Sequence, residues 1–243
     1  MASIMHNVNK KMKNWSVVIM VNILLLVTSA ALAQRNSRAE VLAVSAAPEV
    51  DGNLNDWVGG LTRSFSAQDM QYELAQDGAY LYVAVRISDF DRQIQALTRG
   101  VQFMVNAEGR KRAGQALIFP VLDRIGFRAL MNPEEGMEPM EMRQAALESV
   151  RSIRVSALTH LPDGPIALGN DFGIAAAARL DEDDNLCVEM RMPLNLWGTP
   201  SLLSGKTFAY QLKIMEVPSP TSMTTGRTRS EPGHWGQFTL ELN

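Results

Sequence analysis

Apolar and polar residues alternate with a period of two through much of the chain. In Tyr80–Ile87, Leu81, Val83, Val85 and Ile87 fall on one face of an extended segment, and polar or small residues fall largely on the other. Such alternation, rich in β-branched and aromatic residues, is typical of strands. Similar segments predict further strands at 101–105, 116–119, 153–158, 173–180, 186–192, 208–217 and 237–242. Short strands with turn signals between them predict an all-β antiparallel sandwich of jelly-roll or immunoglobulin-like type.

One segment departs from this alternation. Residues 139–152 carry Met140, Met142, Leu147 and Val150 among Glu and Arg, and Pro139 stands at the start. Proline is favoured at the first position of a helix, so the segment predicts a short helical insertion across one end of the sandwich. The Met-rich stretch 131–142 either fills irregular core space or forms an adaptable binding surface.

The first 33 residues have the pattern of a secretory signal peptide. A basic region precedes an apolar run and then small residues; these are Lys10, Lys11 and Lys13, the run 17–27, and Ala31 and Ala33. A membrane anchor is the alternative, but the run is shorter than the ~20 residues that span a bilayer. We therefore expect cleavage before Gln34 and a periplasmic or extracellular protein. No Cys follows that could carry a lipid anchor. Residues 34–45 are then a lead-in to one domain, 46–243.

Charge and cysteine content exclude two classes of protein. Removing residues 1–33 removes three Lys and no acid, so the formal charge changes from −3 to −6. A nucleic-acid-binding protein needs a basic face, which this balance does not support. Cys187 is the single cysteine, so no intramolecular disulfide can form. We interpret Cys187 as a half-buried strand residue rather than a reactive thiol.

Residues 49–57 combine an Asp-Gly turn, a short amide-rich segment and Trp57. Asp-Gly favours a sharp turn, and a Trp brings a large apolar surface into a core. This segment resembles the opening motif of the family 9 carbohydrate-binding modules and of the wider DOMON-like sandwiches. Residues 77–89, 100–111, 173–177 and 188–194 are similar to later landmarks of that family, in the same order.

The resemblance implies a sandwich fold and a non-catalytic module that binds carbohydrate or a related glycan. It makes the opening motif a landmark of the fold, with Trp57 as a core anchor, and not a binding site. Family members hold a sugar between aromatic rings, which leaves Trp197 and Trp235, with the adjacent His234, as candidate ligand-binding residues. The alternative is that each Trp closes an end of the core.

Other functions remain as alternatives. The acidic run 181–185 offers oxygen ligands for calcium, but a solvated hairpin turn between two strands explains it as well. Some DOMON-like proteins bind haem through His or Met, yet neither His160 nor His234 lies in a haem motif. No hydrolase or metalloprotease motif occurs, so we expect no enzyme, catalytic residue, metal or cofactor. An envelope protein that contacts a partner through residues 131–152 is the second hypothesis.

Overall fold

The computed structural model describes residues 42–43, 47–198, 202–216 and 233–242, all within one compact unit, 40–243. The predicted signal peptide, its cleavage site and a predicted loop at 218–232 lie outside the described residues. The strands are β1 (Leu42–Ala43), β2 (Arg63–Phe65), β3 (Met70–Gln76), β4 (Tyr80–Ile87), β5 (Val101–Asn106), β6 (Gln115–Val121), β7 (Ser152–Ser156), β8 (Gly164–Ala167), β9 (Ala175–Leu180), β10 (Leu186–Pro193), β11 (Thr207–Ile214) and β12 (His234–Thr239).

These strands form two sheets, and the predicted all-β sandwich is confirmed. The first sheet has the order β1-β3-β4-β10-β9, and β2 also pairs with β3. The second has the order β12-β11-β5-β6-β7-β8. All pairings are antiparallel except the short one between β1 and β3. Alternate residues of both sheets face a shared interior, where for example Phe208 and Phe238 stack with ring centroids 5.2 Å apart.

The described residues also form three α-helices. They are α1 (Phe90–Arg99), α2 (Arg124–Met131) and α3 (Pro139–Glu148). The predicted helix is α3, and Pro139 occupies its first turn as expected. The sequence predicts this helix alone, and the structure adds α1 and α2. Asp89, the last residue of the landmark 77–89, caps α1 by accepting a hydrogen bond from the Arg92 N–H at 2.9 Å.

The opening segment packs on the outer face of the first sheet, away from the central core. There it builds a second, smaller apolar group, which we call the outer cluster: Leu54, Trp57, Ala75, Tyr82, Ala84 and Cys187. Trp57 is buried in it, as predicted. A short 3-10 helix, Leu54–Asp56, precedes Trp57, and the Asn53 side chain caps this helix by accepting from the Asn55 N–H. The segment therefore covers what would otherwise be a solvent-facing sheet.

Candidate functional site

Glu189 on β10 attaches the opening segment to the sheet. One carboxylate oxygen accepts a hydrogen bond from the Trp57 indole N–H at 2.6 Å. The other accepts from the backbone N–H groups of Gly52 at 2.7 Å and Asp51 at 3.1 Å. Glu189 is only 1% exposed, and a buried carboxylate needs such partners. The Asp-Gly turn and the Trp of the opening motif are thus bound by the same side chain.

A second buried carboxylate, Glu73 on β3, binds the end of the same segment. It accepts hydrogen bonds from the backbone N–H of Thr62 at 3.2 Å and from the Arg63 guanidinium at 2.7 Å. In the strand registers Ala84 pairs with Glu73 on one side and with Glu189 on the other. The small Ala84 therefore separates the two carboxylates in one row and leaves room for the segment above it.

The two carboxylates do not form a hydrolytic pair. Burial raises the pKa of Glu189 to about 7, against the opposing effect of the bonds from Trp57, Gly52 and Asp51. A raised pKa is common in catalytic acids. However, each carboxylate is committed to protein donors and is buried, with Glu73 only 2% exposed. Both carboxylates bind the opening segment to the first sheet.

A polar pocket of about 300 Å³ lies beside the opening segment on the outer face of the first sheet. This volume is at the lower end of the range of small-molecule sites, ~300–1,000 Å³. Most of the lining is polar. The lining residues are Gly52, Asn53, Leu54, Asn55, Arg86, Arg179, Asp181, Glu182, Asp183 and Cys187.

The strand register sets the pocket floor. Cys187 on β10 pairs with Arg86 on β4 and with Arg179 on β9, so the two arginines flank it in one row. One wall approaches this floor closely at Gly52, which has a φ of +86°. A Cβ at that position would lie 2.9 Å from Arg179 Cγ and 3.1 Å from the Ala178 carbonyl carbon. Glycine is therefore required both by the backbone conformation and by the contact.

The acidic turn between β9 and β10 forms the pocket rim. Asp181 accepts hydrogen bonds from the backbone N–H groups of Asp183 and Asn185, at 3.0 and 2.9 Å, and from the Asn185 amide. The other side of the turn is held by buried Arg143 of α3, which donates to both Asp184 carboxylate oxygens at 2.8 and 2.6 Å. The predicted hairpin turn is confirmed, and α3 fixes its position.

The ionisable groups of the pocket do not provide a nucleophile. Burial raises the pKa of the Cys187 thiol to about 11, and the Asp181 charge adds to this effect. Burial alone would raise the pKa of Asp181, but the bonds from Asn185 outweigh it and leave the pKa lowered. The thiol is therefore protonated and the carboxylate ionised at neutral pH. This chemistry suits binding through hydrogen bonds and charge.

The three predicted ligand-binding residues lie in three different environments. Trp197 ends a 3-10 helix, Leu194–Trp197, and its ring lies 5.8 Å from that of Phe208 in the interior. His234 also faces the interior, where its Nε2 lies 2.7 Å from the Tyr72 hydroxyl oxygen. Because side chains alternate along a strand, Trp235 points to the outer face of the second sheet.

These positions differ from the predicted clamp of two aromatic rings. Trp197 and Trp235 are both half-buried, but they lie on opposite faces of the second sheet. The sequence places His234 and Trp235 on a loop before the last strand, whereas β12 begins at His234. The Trp197 indole nitrogen is buried without a hydrogen-bond partner within the described part of the chain.

His234 belongs to an aromatic group between the two sheets. We call it the histidine edge: Phe65, Tyr72, Tyr210 and His234. The Tyr72 hydroxyl bridges His234 Nε2 and the Tyr210 hydroxyl, which lies 2.8 Å away. Burial lowers the pKa of His234, and the positive charges of Lys111 and Arg63 lower it further. His160, by contrast, is exposed.

Among the described residues, no group of three or more His, Cys, Asp or Glu side chains is close enough to hold a metal ion. None of the helices formed by 47–198, 202–216 and 233–242 has the length and apolar character needed to cross a membrane.

Comparison with known proteins gives distant structural likeness only. No family model matches the sequence, and no curated protein does. Among solved structures, the chain is similar to a family 9 carbohydrate-binding module from Caldicellulosiruptor kristjanssonii in complex with glucose. The identity is 12% and the TM-score 0.40, over 85% of this chain and 96% of that one. The strand pairings define the class of protein, a two-sheet β-sandwich.

Sequence reasoning missed Arg86 and Arg179 as candidate site residues. Arg86 occupies the polar face of β4, where a solvent-facing arginine is ordinary. Arg179 follows four consecutive alanines, 175–178. The sequence signal for Arg179 is a single arginine that follows small residues on a strand, because small neighbours leave space for a ligand above the sheet.

Proposed function

We propose that the protein is an exported, non-catalytic binding module whose ligand is carbohydrate or a related glycan. The observation that carries the proposal is the polar pocket of about 300 Å³ on the outer face of the first sheet. Sugars present many hydroxyl groups that both donate and accept hydrogen bonds. A pocket that combines guanidinium, amide and carboxylate groups offers partners for each of them.

The side chains on the pocket walls are held in place by the fold, which further supports ligand binding. Asn53 and Asn55 stand on the capped 3-10 turn of the opening segment, which Glu189 attaches to the sheet. Asp183 stands on the rim turn that Arg143 holds from the other side. Groups held by rigid elements lose little freedom when a ligand binds, which favours affinity. The opening motif thus contributes a wall of the proposed site as well as a landmark of the fold.

Trp235 remains a second proposed contact for the same class of ligand. It is partly exposed on the outer face of the second sheet, and Gln211 is its partner in the strand register. An aromatic ring beside an amide can stack on a sugar and bind its hydroxyls. His234 and Trp197, which face the interior, would contribute by supporting β12 and β11 rather than by touching a ligand.

The test is a saccharide array followed by calorimetric titration of each binder. We expect saturable binding by the wild type and a loss of about tenfold in affinity on Arg179→Gln, because a charged donor is removed. Arg154→Gln is the matched control, since Arg154 is also an exposed strand arginine but lies on β7 of the other sheet. An array without any saturable saccharide would contradict the proposal. A loss on Trp235→Ala but not on Arg179→Gln would move the site to the second sheet.

Export is tested separately. Expression of the full chain in a bacterial host should give a mature protein that begins at Gln34, as determined by mass spectrometry of the intact chain. Recovery of the full-length chain from the membrane fraction would instead support the N-terminal anchor.

A specific observation favours a second candidate function, the contact surface for an envelope partner. Four apolar side chains on α2 and α3 are exposed: Ile125 by 73%, Phe127 by 45%, Met131 by 51% and Met140 by 46%. Grouped exposed apolar residues often mark interaction sites. Cross-linking in intact cells should give a discrete adduct that Ile125→Ser/Phe127→Ser abolishes and Arg124→Gln preserves. An unchanged adduct in the double variant would reject this surface.

A further inference from the structure

We infer that the pocket selects a sugar that carries a carboxylate, of the uronic acid class, and that Arg86 and Arg179 bind this carboxylate. The inference rests on the proposed function and specifies its ligand. The floor of the pocket carries the two arginines, which can donate further hydrogen bonds, whereas the rim carries amide and carboxylate groups.

The two arginines can act on one group because they stand in one row. Arg86 and Arg179 occupy the strands on either side of Cys187, and the three residues pair directly in register. Residues paired across neighbouring strands are ~5 Å apart, so both long side chains can reach the space above the small, buried Cys187. Two guanidinium groups over one gap suit a planar carboxylate, which accepts several N–H bonds.

Their donors are largely unoccupied. The Arg179 side chain has no hydrogen bond or ion pair with any other described residue. Arg86 has one ion pair, with Asp181 at 3.4 Å, and its buried Nε has no hydrogen-bond partner within the described ranges. Buried donors are normally paired in native proteins, and the buried Arg86 Nε lacks such an acceptor. The Arg179 guanidinium is exposed beside it, so one ligand acceptor placed above the floor can bind both groups.

The carboxylate beside them is already occupied. Asp181 accepts bonds from Asn185 and Asp183 within its own turn and one from the Cys187 thiol at 3.6 Å. It cannot satisfy both arginines in addition. A neutral sugar would leave Arg179 without a negative partner and Arg86 with the single ion pair to Asp181, whereas a uronate would supply a carboxylate to both.

The rim is suited to the remaining part of such a ligand. Asn53, Asn55, Glu182 and Asp183 line the pocket above the floor and offer amide and carboxylate groups to hydroxyls. The exposed charges of Glu182 and Asp183 also repel a carboxylate placed at the rim, which orients it towards the arginines. A simple carboxylic acid would use the floor alone.

The test is calorimetric titration with glucuronate, glucose and acetate at one pH and ionic strength. We expect glucuronate to bind at least about tenfold more tightly than glucose or acetate. Arg179→Gln keeps the Cβ and Cγ groups that pack on Gly52, and it should abolish the preference for glucuronate over glucose without changing the midpoint of thermal unfolding. Arg154→Gln should retain the preference.

The outcomes separate the inference from the proposed function. Equal affinity for glucose and glucuronate would overturn the inference and leave a carbohydrate site in place. Acetate binding as tightly as glucuronate would overturn it in favour of a simple anion site. Binding of none of the three, together with an empty saccharide array, would overturn both.

Discussion

The outer cluster and the histidine edge bury the same kinds of group in opposite ways. In the outer cluster Trp57 is buried, and the neighbouring Glu189 carboxylate accepts three hydrogen bonds from the opening segment. At the histidine edge an imidazole is half-buried, and its hydrogen bond goes to a neutral tyrosine hydroxyl. One region holds a buried acid and the other a buried base.

This difference predicts opposite responses to acid. Burial raises the pKa of Glu189 and lowers the pKa of His234, so in both cases the neutral form is favoured in the folded state. Lowering the pH neutralises the acid, which favours the folded outer cluster. The same change charges the base, which disfavours the folded histidine edge. The four predictions below test this contrast.

The largest expected effect is that of Trp57→Ala. Removing this ring empties the centre of the outer cluster and takes a donor from Glu189, so we expect a loss of about 3–5 kcal/mol in the free energy of unfolding. Trp235→Ala is the matched control, because its ring is half-buried, and it should cost less than half as much. Urea denaturation measures both. Equal losses would show that Trp57 is no better packed than the half-buried Trp235.

The second prediction concerns pH. The folded pKa of Glu189, about 7, lies above its ordinary value of 4.5. Its contribution to stability is therefore complete below pH 4.5 and is lost as the pH rises through 7, by about 3 kcal/mol. Glu189→Gln should remove this part of the pH dependence, whereas the exposed Glu148→Gln should keep it. Parallel wild-type and Glu189→Gln curves between pH 4.5 and 7 would reject the assignment.

The third prediction compares two glycines with the same backbone requirement. Gly52 has a φ of +86° and Gly78 one of +90°, but a Cβ would meet neighbouring atoms only at Gly52. Gly78→Ala should cost about 1 kcal/mol through backbone strain alone, and Gly52→Ala about 2 kcal/mol because the contact adds to it. Thermal unfolding of both variants measures the difference. A larger loss at Gly78 would contradict the close approach of the opening segment to β9.

The smallest effect is expected at the histidine edge. Because the pKa of His234 is lowered on folding, its contribution is present above its unfolded pKa and is lost as the pH falls. His234→Gln retains a partner for Tyr72 and should remove this acid sensitivity. At neutral pH it should change stability by no more than one hydrogen bond, about 1 kcal/mol. Acid sensitivity that persists in the variant would assign it to another group.

The strands that alternate in sequence were predictable, and β3 shows why others were not. Along Met70–Gln76 all residues but one are buried, including Glu73. The polar character of Glu73 indicates a solvent face, but the opening segment covers that face. Alternation reports exposure only where no distant segment packs on the strand. A local pattern therefore cannot identify such a strand.

The helices teach a related point. Asp89 and Gly100 delimit α1 as ordinary start and stop signals, yet in the family resemblance Asp89 only closes the landmark 77–89 and predicts no helix after it. By contrast α3 was predictable because Pro139 and the helical spacing of its apolar residues agree. Local signals succeed where they are consistent with each other.

The pocket could not be predicted because it depends on register. Nothing in the sequence around Arg86 indicates that Arg179 lies two strands away in the same row, since the register between β4, β10 and β9 is a property of the assembled sheet. The aromatic candidates lie apart for a different reason. Consecutive residues of β12 point to opposite faces, so Trp235 lies on the outer face, whereas Trp197 on its 3-10 helix contacts interior Phe208.

The bonds to Glu189 also bear on the order of folding. They join residues 132 to 138 positions apart, whereas β3 and β4 are joined by a tight turn. Closing a long loop costs more chain entropy before any contact offsets it, so we expect the hairpins to form first and the opening segment to dock late. The pocket would then exist only in fully folded molecules. A ligand that needs this pocket should slow unfolding and leave the early phases of refolding unchanged.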